Sequence, residues 1–455
     1  MIDFSIKQLD TYYDPFYTYS LFKDNIDSIF LDSSKADKLL SKYSFIGLNP
    51  YKKFSSKGRS ISIDNEVYDN VDPFEALEKL MEQYKVDINN IKTYNLPFIS
   101  GAIGYFSYDI GRIIEELPDN SKEDFSIPDS IFIFFDNLII FDLHNKKTYI
   151  TAVGQIEKIT KSISKIEKTL ENYNEEEQVK LERSTNTFYS NFNKDEYEKA
   201  ISSLKEYIVS GDVYIANMTR QICCNNDEDS FKIYERLRNS NKAPFSAYMN
   251  FEDFQIISSS PERFLSIIDG TVQTRPIKGT RPRGKNKEED EKNKKELINS
   301  EKDKSELLMI VDLERNDLSK VCKANSVKVT ELIKLEEYET VFHLVATIEG
   351  KLKDNVSAVK CIRECFPGGS ITGAPKIRAM EIIEELEKLK RNIYTGSIGY
   401  FDLRGNSDFN IVIRTIVKKD NKAYLGVGGG ITWESIEEAE WFETIDKAKA
   451  LMEVL

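Results

Sequence analysis

Histidine is nearly absent. Only His144 and His343 occur in 455 residues, so a multi-histidine metal centre is excluded. The five cysteines form no CxxC pair, and their odd number suggests a reducing compartment rather than a disulfide framework. No apolar run reaches the ~20 residues needed to cross a bilayer. The opening MIDFSIKQLDTYYDPF carries acids early and has no apolar core, so no signal peptide and no membrane are expected, and a cytoplasmic location is. Positive charge is also in deficit. Lys plus Arg is 63 against 76 for Asp plus Glu, a formal charge of −13. That balance argues against nucleic acid and anionic membranes as partners. An anionic substrate would have to be held by local cations or backbone N–H groups.

Hydrophobic residues make up 40% and charged residues 31% of the chain, the composition of a globular protein. Its length allows one large or two ordinary domains. Residues 1–150 contain β-rich runs such as IFIFFDNLIIFDL and KTYITAV, the first interrupted by Asp136-Asn137, a turn or bulge signal. Residues 151–190 form a charged connection that begins with an amphipathic helix. Residues 191–455 open on a helix over DEYEKAISSLKEYIVSGD, with Asn193 placed to cap it and Gly211 to end it. Strands over VYIANMTRQICC, FQIISSS, RFLSIID and TVQTRPI follow, then a lysine- and glutamate-rich stretch from Gly284 to Glu306 read as a solvated loop entering a helix. FNIVIRTIV reads as one strand near the end. Strands and helices do not alternate, so the class is α+β with largely antiparallel sheets.

Several segments, taken in order, carry the chemistry: SPERF, TRPIKGTRPRG, ELLMIVDLERNDL, FPGGSITGAPKIRAME, TGSIGYFD, IVIRT and the glycines Gly428 to Gly430. In this order they resemble the chorismate-utilising family, which includes component I of anthranilate synthase and of aminodeoxychorismate synthase. The likeness is strong over residues 190–455. It is weaker in the N-terminal part, through FLDSS, YSFIGLNPY and ISGAIGYFSYDIGR. The resemblance implies a large antiparallel β-sandwich core flanked by helices, with the N-terminal region interwoven with residues 191–455. It also implies Mg²⁺ dependence, chorismate as substrate and a glutaminase partner that supplies ammonia.

Lys278 is the most telling residue. Alone it would be a solvated lysine in a basic turn. The resemblance points elsewhere: anthranilate-forming members typically carry alanine here, whereas a lysine resembles the branch that makes 4-amino-4-deoxychorismate on the way to 4-aminobenzoate and folate. There the amine attacks the substrate ring. Only a neutral amine is nucleophilic, and the neighbours Arg275 and Arg281, with a bound Mg²⁺, would favour that form. Glu262 of SPERF is the matching general acid, and must be protonated to act; a salt bridge to Arg263 or Arg275 is the competing reading.

A hard cation prefers oxygen ligands. Glu440 and Glu443 share a helix face by their spacing. The resemblance makes Glu306 and Glu443 ligands, with Glu440 close by, although IEEAEWFE alone would be a solvated acidic face. For the substrate, Arg414 can fork onto a carboxylate and Tyr394 can donate to the same group. The Gly-rich loop from Phe366 to Lys376 runs into a helix and offers Thr372, Gly373, Ala374 and Lys376 at its start. GGSITGAPK lacks the G-K-[ST] ending of a phosphate loop, so that reading is rejected. Gly428, Gly429 and Gly430 permit close backbone approach. His343 in VFHLVAT is either a hydrogen-bonded core residue or a substrate neighbour. Ile215 stands where many members carry glutamine and isochorismate-forming ones a lysine that activates water; isoleucine cannot do so. Ser33, Tyr43, Ser44, Pro244 and Phe245 resemble the family's tryptophan pocket, with ordinary packing as the alternative.

Overall fold

A computed structural model describes residues 3–35, 40–84, 95–175, 186–338 and 341–455. Every pairing between named strands is antiparallel, and together the pairings join them into one continuous ladder. Successive side chains of a strand point to opposite faces, and the residues obey this closely. Ile29, Phe45, Ile140, Ile256 and Val417 enter one core, while their neighbours Phe30, Ile46, Ile139, Ile257 and Ile416 enter a second. The first core is the inside of the sandwich. The second is covered by helices Pro15–Ser20, Ile159–Leu170, Ser230–Ser240 and Glu437–Met452. An α+β fold with a large antiparallel sheet is therefore what the chain adopts.

Pairing crosses from the N-terminal part to the rest of the chain. Ser28–Asp32 pairs with Phe245–Asn250, and Gly101–Phe106 with Ser397–Asp402. Residues 176–185 of the charged connection lie outside the described residues. The helix Lys194–Ser210 begins in a reciprocal capping box between Asn193 and Glu196 and ends at Gly211 in the left-handed region, φ 84°.

Three sequence expectations need correction. Asp136-Asn137 does not break the strand Ser130–Asp142; both are buried within it. The Asn137 side chain satisfies itself there, accepting from Asn49 at 2.7 Å and Ser162 at 2.6 Å and donating to the Thr151 carbonyl at 3.0 Å. The stretch from Gly284 to Glu306 is helical from Lys287 on, with a loop far shorter than expected. It is the helix Lys287–Asn299, capped by Asn286 with three acids in its first turn, followed by the start of Glu301–Val321, capped by Ser300. FNIVIRTIV is two strands, Ser407–Asn410 and Thr415–Lys419. The break falls at Arg414, which is held at φ 51°.

The capping box is a local, testable element. Asn193→Ala should lower stability by about 1 kcal/mol in chemical denaturation while leaving activity unchanged.

Candidate functional site

The site is built on three adjoining parts of the ladder. Ile215–Asn225 pairs with Lys422–Ile431 along most of its length and with Gly373–Ala374 at its start. Ile277–Pro282, which carries Lys278, pairs with Val341–Lys351. Behind the first pair, the helices Lys194–Ser210 and Lys376–Glu387 pack Tyr197, Ile201, Ala379 and Ile382 against Ala216, Met218 and Ile431. That packing gives the cleft floor a rigid back.

Lys278 Nζ donates to the Ser370 carbonyl at 3.1 Å. It also lies 3.5 Å from the point where a Cβ on Gly430 would stand; Ile215 Cδ1 is 3.2 Å and Glu306 Oε2 3.7 Å from that point. The amine thus sits at the cleft floor beside a carboxylate and an apolar side chain. Arg275 and Arg281 do not serve it. Arg275 is paired with Glu336, and Arg281 with Glu296 and Asp303.

Glu262 is buried. Burial raises its carboxyl above the usual range, against hydrogen bonds from Ser370 and the Ile277 N–H and the charge of Lys278. Neither arginine neutralises it: Arg263 is paired with Asp408 at 2.8 Å, and Arg275 is engaged elsewhere. A carboxyl held toward its protonated form beside an amine suits a general acid.

Glu440 Oε2 and Glu443 Oε1 each come within 3.2 Å of the Cβ position on Gly429, while Glu306 faces the Gly430 position. Burial raises Glu306, and burial with the charge of Glu443 raises Glu440. Desolvation pushes Glu443 up as well, but Lys447, Lys302 and Lys278 together outweigh it and leave Glu443 low. Two ammonium groups partly compensate the three acids. Lys302 lies 3.9 Å from Glu306 and 3.6 Å from Glu440, and Lys447 lies 2.6 Å from Glu443. Among the described residues no three carboxylate, imidazole or thiol groups are already gathered to hold a metal ion. The chemistry of the donor set, converging carboxylates that repel one another and draw cations, fits a hard divalent cation.

Arg414 is enclosed, and among the described residues it makes no ion pair. Burial alone pulls its guanidinium below the usual value. Among the described residues its side chain makes one hydrogen bond, to Asn241 Oδ1 at 3.4 Å. His343 is buried against Thr280, Nδ1 to Oγ1 2.8 Å, and burial with the charges of Arg414 and Lys35 pushes it down to about 3, so it is neutral at physiological pH.

A family model described as chorismate binding enzyme matches residues 27–453. The chain belongs to the chorismate binding enzyme family. It is 35% identical to anthranilate synthase component 1 of Acetivibrio thermocellus, over 97% of this chain and 92% of that one. It is 37% identical to aminodeoxychorismate synthase component 1 of Escherichia coli K12, over 94% and 93%. The crystal structure of anthranilate synthase component I from Streptococcus pneumoniae TIGR4 superposes with a TM-score of 0.81 at 29% identity, covering 92% of this chain and 94% of that one.

Other residues of this chorismate binding enzyme have places of their own. Thr372 is buried, its hydroxyl donating to the Gly368 carbonyl at 2.9 Å, and its carbonyl accepts from Asn217 N–H at 2.7 Å. Gly373 and Ala374 are bound into the ladder opposite Ala216 and Ile215. Gly428 to Gly430 are not a turn but lie in mid-strand opposite Thr219, Met218 and Asn217. The Tyr394 ring lies against Gly426, where a Cβ would come within 2.2 Å of it. Lys376 is a correction. Its three N–H donors go to Asp317 at 2.6 Å and to the carbonyls of Cys365 at 2.8 Å and Pro367 at 2.7 Å, so it ties the loop to the Glu301–Val321 helix instead of facing substrate.

Ser33, Tyr43, Pro244 and Phe245 border a separate cavity of about 1330 Å³ that also meets Arg263 and Asp408. Ser33 donates to the carbonyls of Tyr43 at 2.9 Å and Pro244 at 3.0 Å, and Ser44 is buried behind it. None of Lys278, Glu262, Glu306 or Arg414 lines this cavity.

Two groups went unread in the sequence. Glu387 and Arg391 form a fully buried ion pair that also holds the Thr219 N–H and the carbonyls of Asn217 and Ile371. Their spacing of four was the only signal. Glu314 is buried behind Gly369, accepts from Thr274 at 2.8 Å, and is raised to about 8 by burial. Its unfolded carboxyl would ionise near the ordinary value of 4.5. The stability it contributes is therefore complete below that value and lost as pH rises toward about 8. Relative to Glu314→Gln, the wild type should lose stability steadily across that window in urea unfolding, and hold a constant difference above it.

Proposed function

We propose that the chain is the synthase subunit of an aminodeoxychorismate synthase. Chorismate, with ammonia from a glutaminase partner, becomes 4-amino-4-deoxychorismate through a covalent bond to Lys278. The observation that carries this is the placement of Lys278 Nζ at the cleft floor, against Ser370 and Gly430 and within the fields of Glu262, Glu306 and Glu443, where a solvated lysine would not be. Overall identity does not choose between the two kinds of relative, at 35% and 37%; Lys278 favours the aminodeoxychorismate reading. The designation of both relatives as component 1 supports a second subunit.

In this mechanism the neutral Lys278 amine bonds to C2 of the ring and gives up a proton. The ring double bonds shift, the C4–O bond breaks, and Glu262 protonates the departing hydroxyl, which leaves as water. Ammonia then bonds to C4 and gives up a proton, the double bonds shift back, and the C2–N bond breaks with its electron pair and a proton returning to the lysine. One ammonia enters and one water leaves, in two easier steps rather than one difficult substitution. Arg414 holds the enolpyruvyl carboxylate, with Tyr394, His343 and the backbone at Thr372 to Ala374 and Gly428 to Gly430 around the ligand. Glu306 and Glu443, with Glu440 beside them, would hold Mg²⁺, which supplies Lewis-acid withdrawal of charge from the ring carboxylate.

With chorismate, Mg²⁺ and ammonium salt, chromatography should show 4-amino-4-deoxychorismate and no pyruvate; stoichiometric anthranilate and pyruvate would overturn the assignment. Without ammonia, intact-protein mass spectrometry should show an adduct on the wild type and none on Lys278→Ala. An adduct-free wild type together with full amination by Lys278→Ala would leave Lys278 an electrostatic bystander. Glu443→Gln should cut activity by about two orders of magnitude or more with the fold intact. Full activity of that variant in EDTA would return the three glutamates to the surface.

A further inference from the structure

Two polar groups stand together at one edge of the cleft without adequate partners. The Arg414 guanidinium makes no ion pair among the described residues, and its single hydrogen bond among them is to the Asn241 oxygen at 3.4 Å. The Asn241 amide nitrogen is buried and has no hydrogen-bond partner. A half-buried cation and a buried N–H₂ are each costly when unmatched. Side by side, both call for the same thing, an acceptor that carries negative charge.

Ser259 brings them together. Its N–H donates to the Arg414 carbonyl at 3.1 Å, and its hydroxyl donates to the Asn241 carbonyl. Asn241 also ends the helix Ser230–Ser240, its own N–H reaching the Leu237 carbonyl at 2.8 Å. Arg414 is fixed in the left-handed region between two strands. The main chain at both residues is therefore anchored without the Asn241 side chain, which does no evident structural work beyond its contact with Arg414.

We infer that Asn241 is a second substrate-binding residue: its amide N–H₂ and the Arg414 guanidinium grip one carboxylate together, that of the enolpyruvyl branch. This rests on the reading of the cleft as a chorismate site. The amide oxygen fixes the guanidinium, and the amide nitrogen adds neutral donors that the incoming carboxylate satisfies. A carboxylate in place of the amide would pair with Arg414 from within and shut the substrate's own carboxylate out.

Asn241→Asp and Asn241→Ala, in the full chain with Mg²⁺, test this by steady-state kinetics on chorismate and by thermal unfolding. Asn241→Asp should hold or raise Tm, because the enclosed guanidinium gains a partner. It should also raise KM for chorismate by about tenfold or more, with kcat at saturation changing far less. Asn241→Ala should raise KM without the gain in Tm. A KM unmoved in both variants overturns the inference. So does a fall in Tm and kcat with KM unchanged, which would mark Asn241 as a structural tie only. A wild type that does not turn over chorismate at all would instead overturn the reading on which the inference rests.

Discussion

Ten consecutive residue pairs, from Ala216↔Ile431 to Asn225↔Lys422, join two strands that are distant in sequence. The glycine floor of the cleft is referred to this pairing. It puts Gly429 and Gly430 opposite Met218 and Asn217, and the carboxylates of Glu440, Glu443 and Glu306 and the amine of Lys278 close over those glycines. A slip of one residue would turn every side chain of the strand to the other face, exchanging Ile215 and Asn217 for their neighbours at the floor. The register is pinned from behind. Glu387 and Arg391 bind the backbone of Asn217, Thr219 and Ile371, so the two walls of the cleft share one buried ion pair. Breaking such a pair by removing one partner costs on the order of 3–5 kcal/mol.

The electrostatics of the site invert those of the molecule. The chain carries −13 overall, yet at the cleft a guanidinium is enclosed without a countercharge and an amine sits at the floor. Three carboxylates are only partly offset by Lys302 and Lys447. A ligand with a carboxylate at each end would meet a cation at one end and a cation-seeking carboxylate cluster at the other. These local charges, and not the global field, which repels anions, set what the cleft attracts.

Much of this was legible in the residues. The capping box at Asn193, the period-two strands and the order of motifs from SPERF to the glycine triplet all read correctly, because each depends on local spacing. The misreadings share a cause. Asp136-Asn137 looked like a break because the sequence does not reveal that Asn49, Thr151 and Ser162 would satisfy its amide. Lys376 looked like an anion ligand because Asp317 and two carbonyls, its real partners, are brought to it only by the fold.

The sequence by itself determined the class of fold and the family, since periodicity and motif chemistry are properties of neighbouring residues. Tertiary structure alone decided which charges are paired and which are left open. Arg263, Arg275 and Arg281 find carboxylates from distant segments, whereas among the described residues Arg414 hydrogen-bonds only the oxygen of Asn241. Whether a charge is open depends on partners far away in the chain and on how much water is excluded around it, and both are fixed only when the strands close over it.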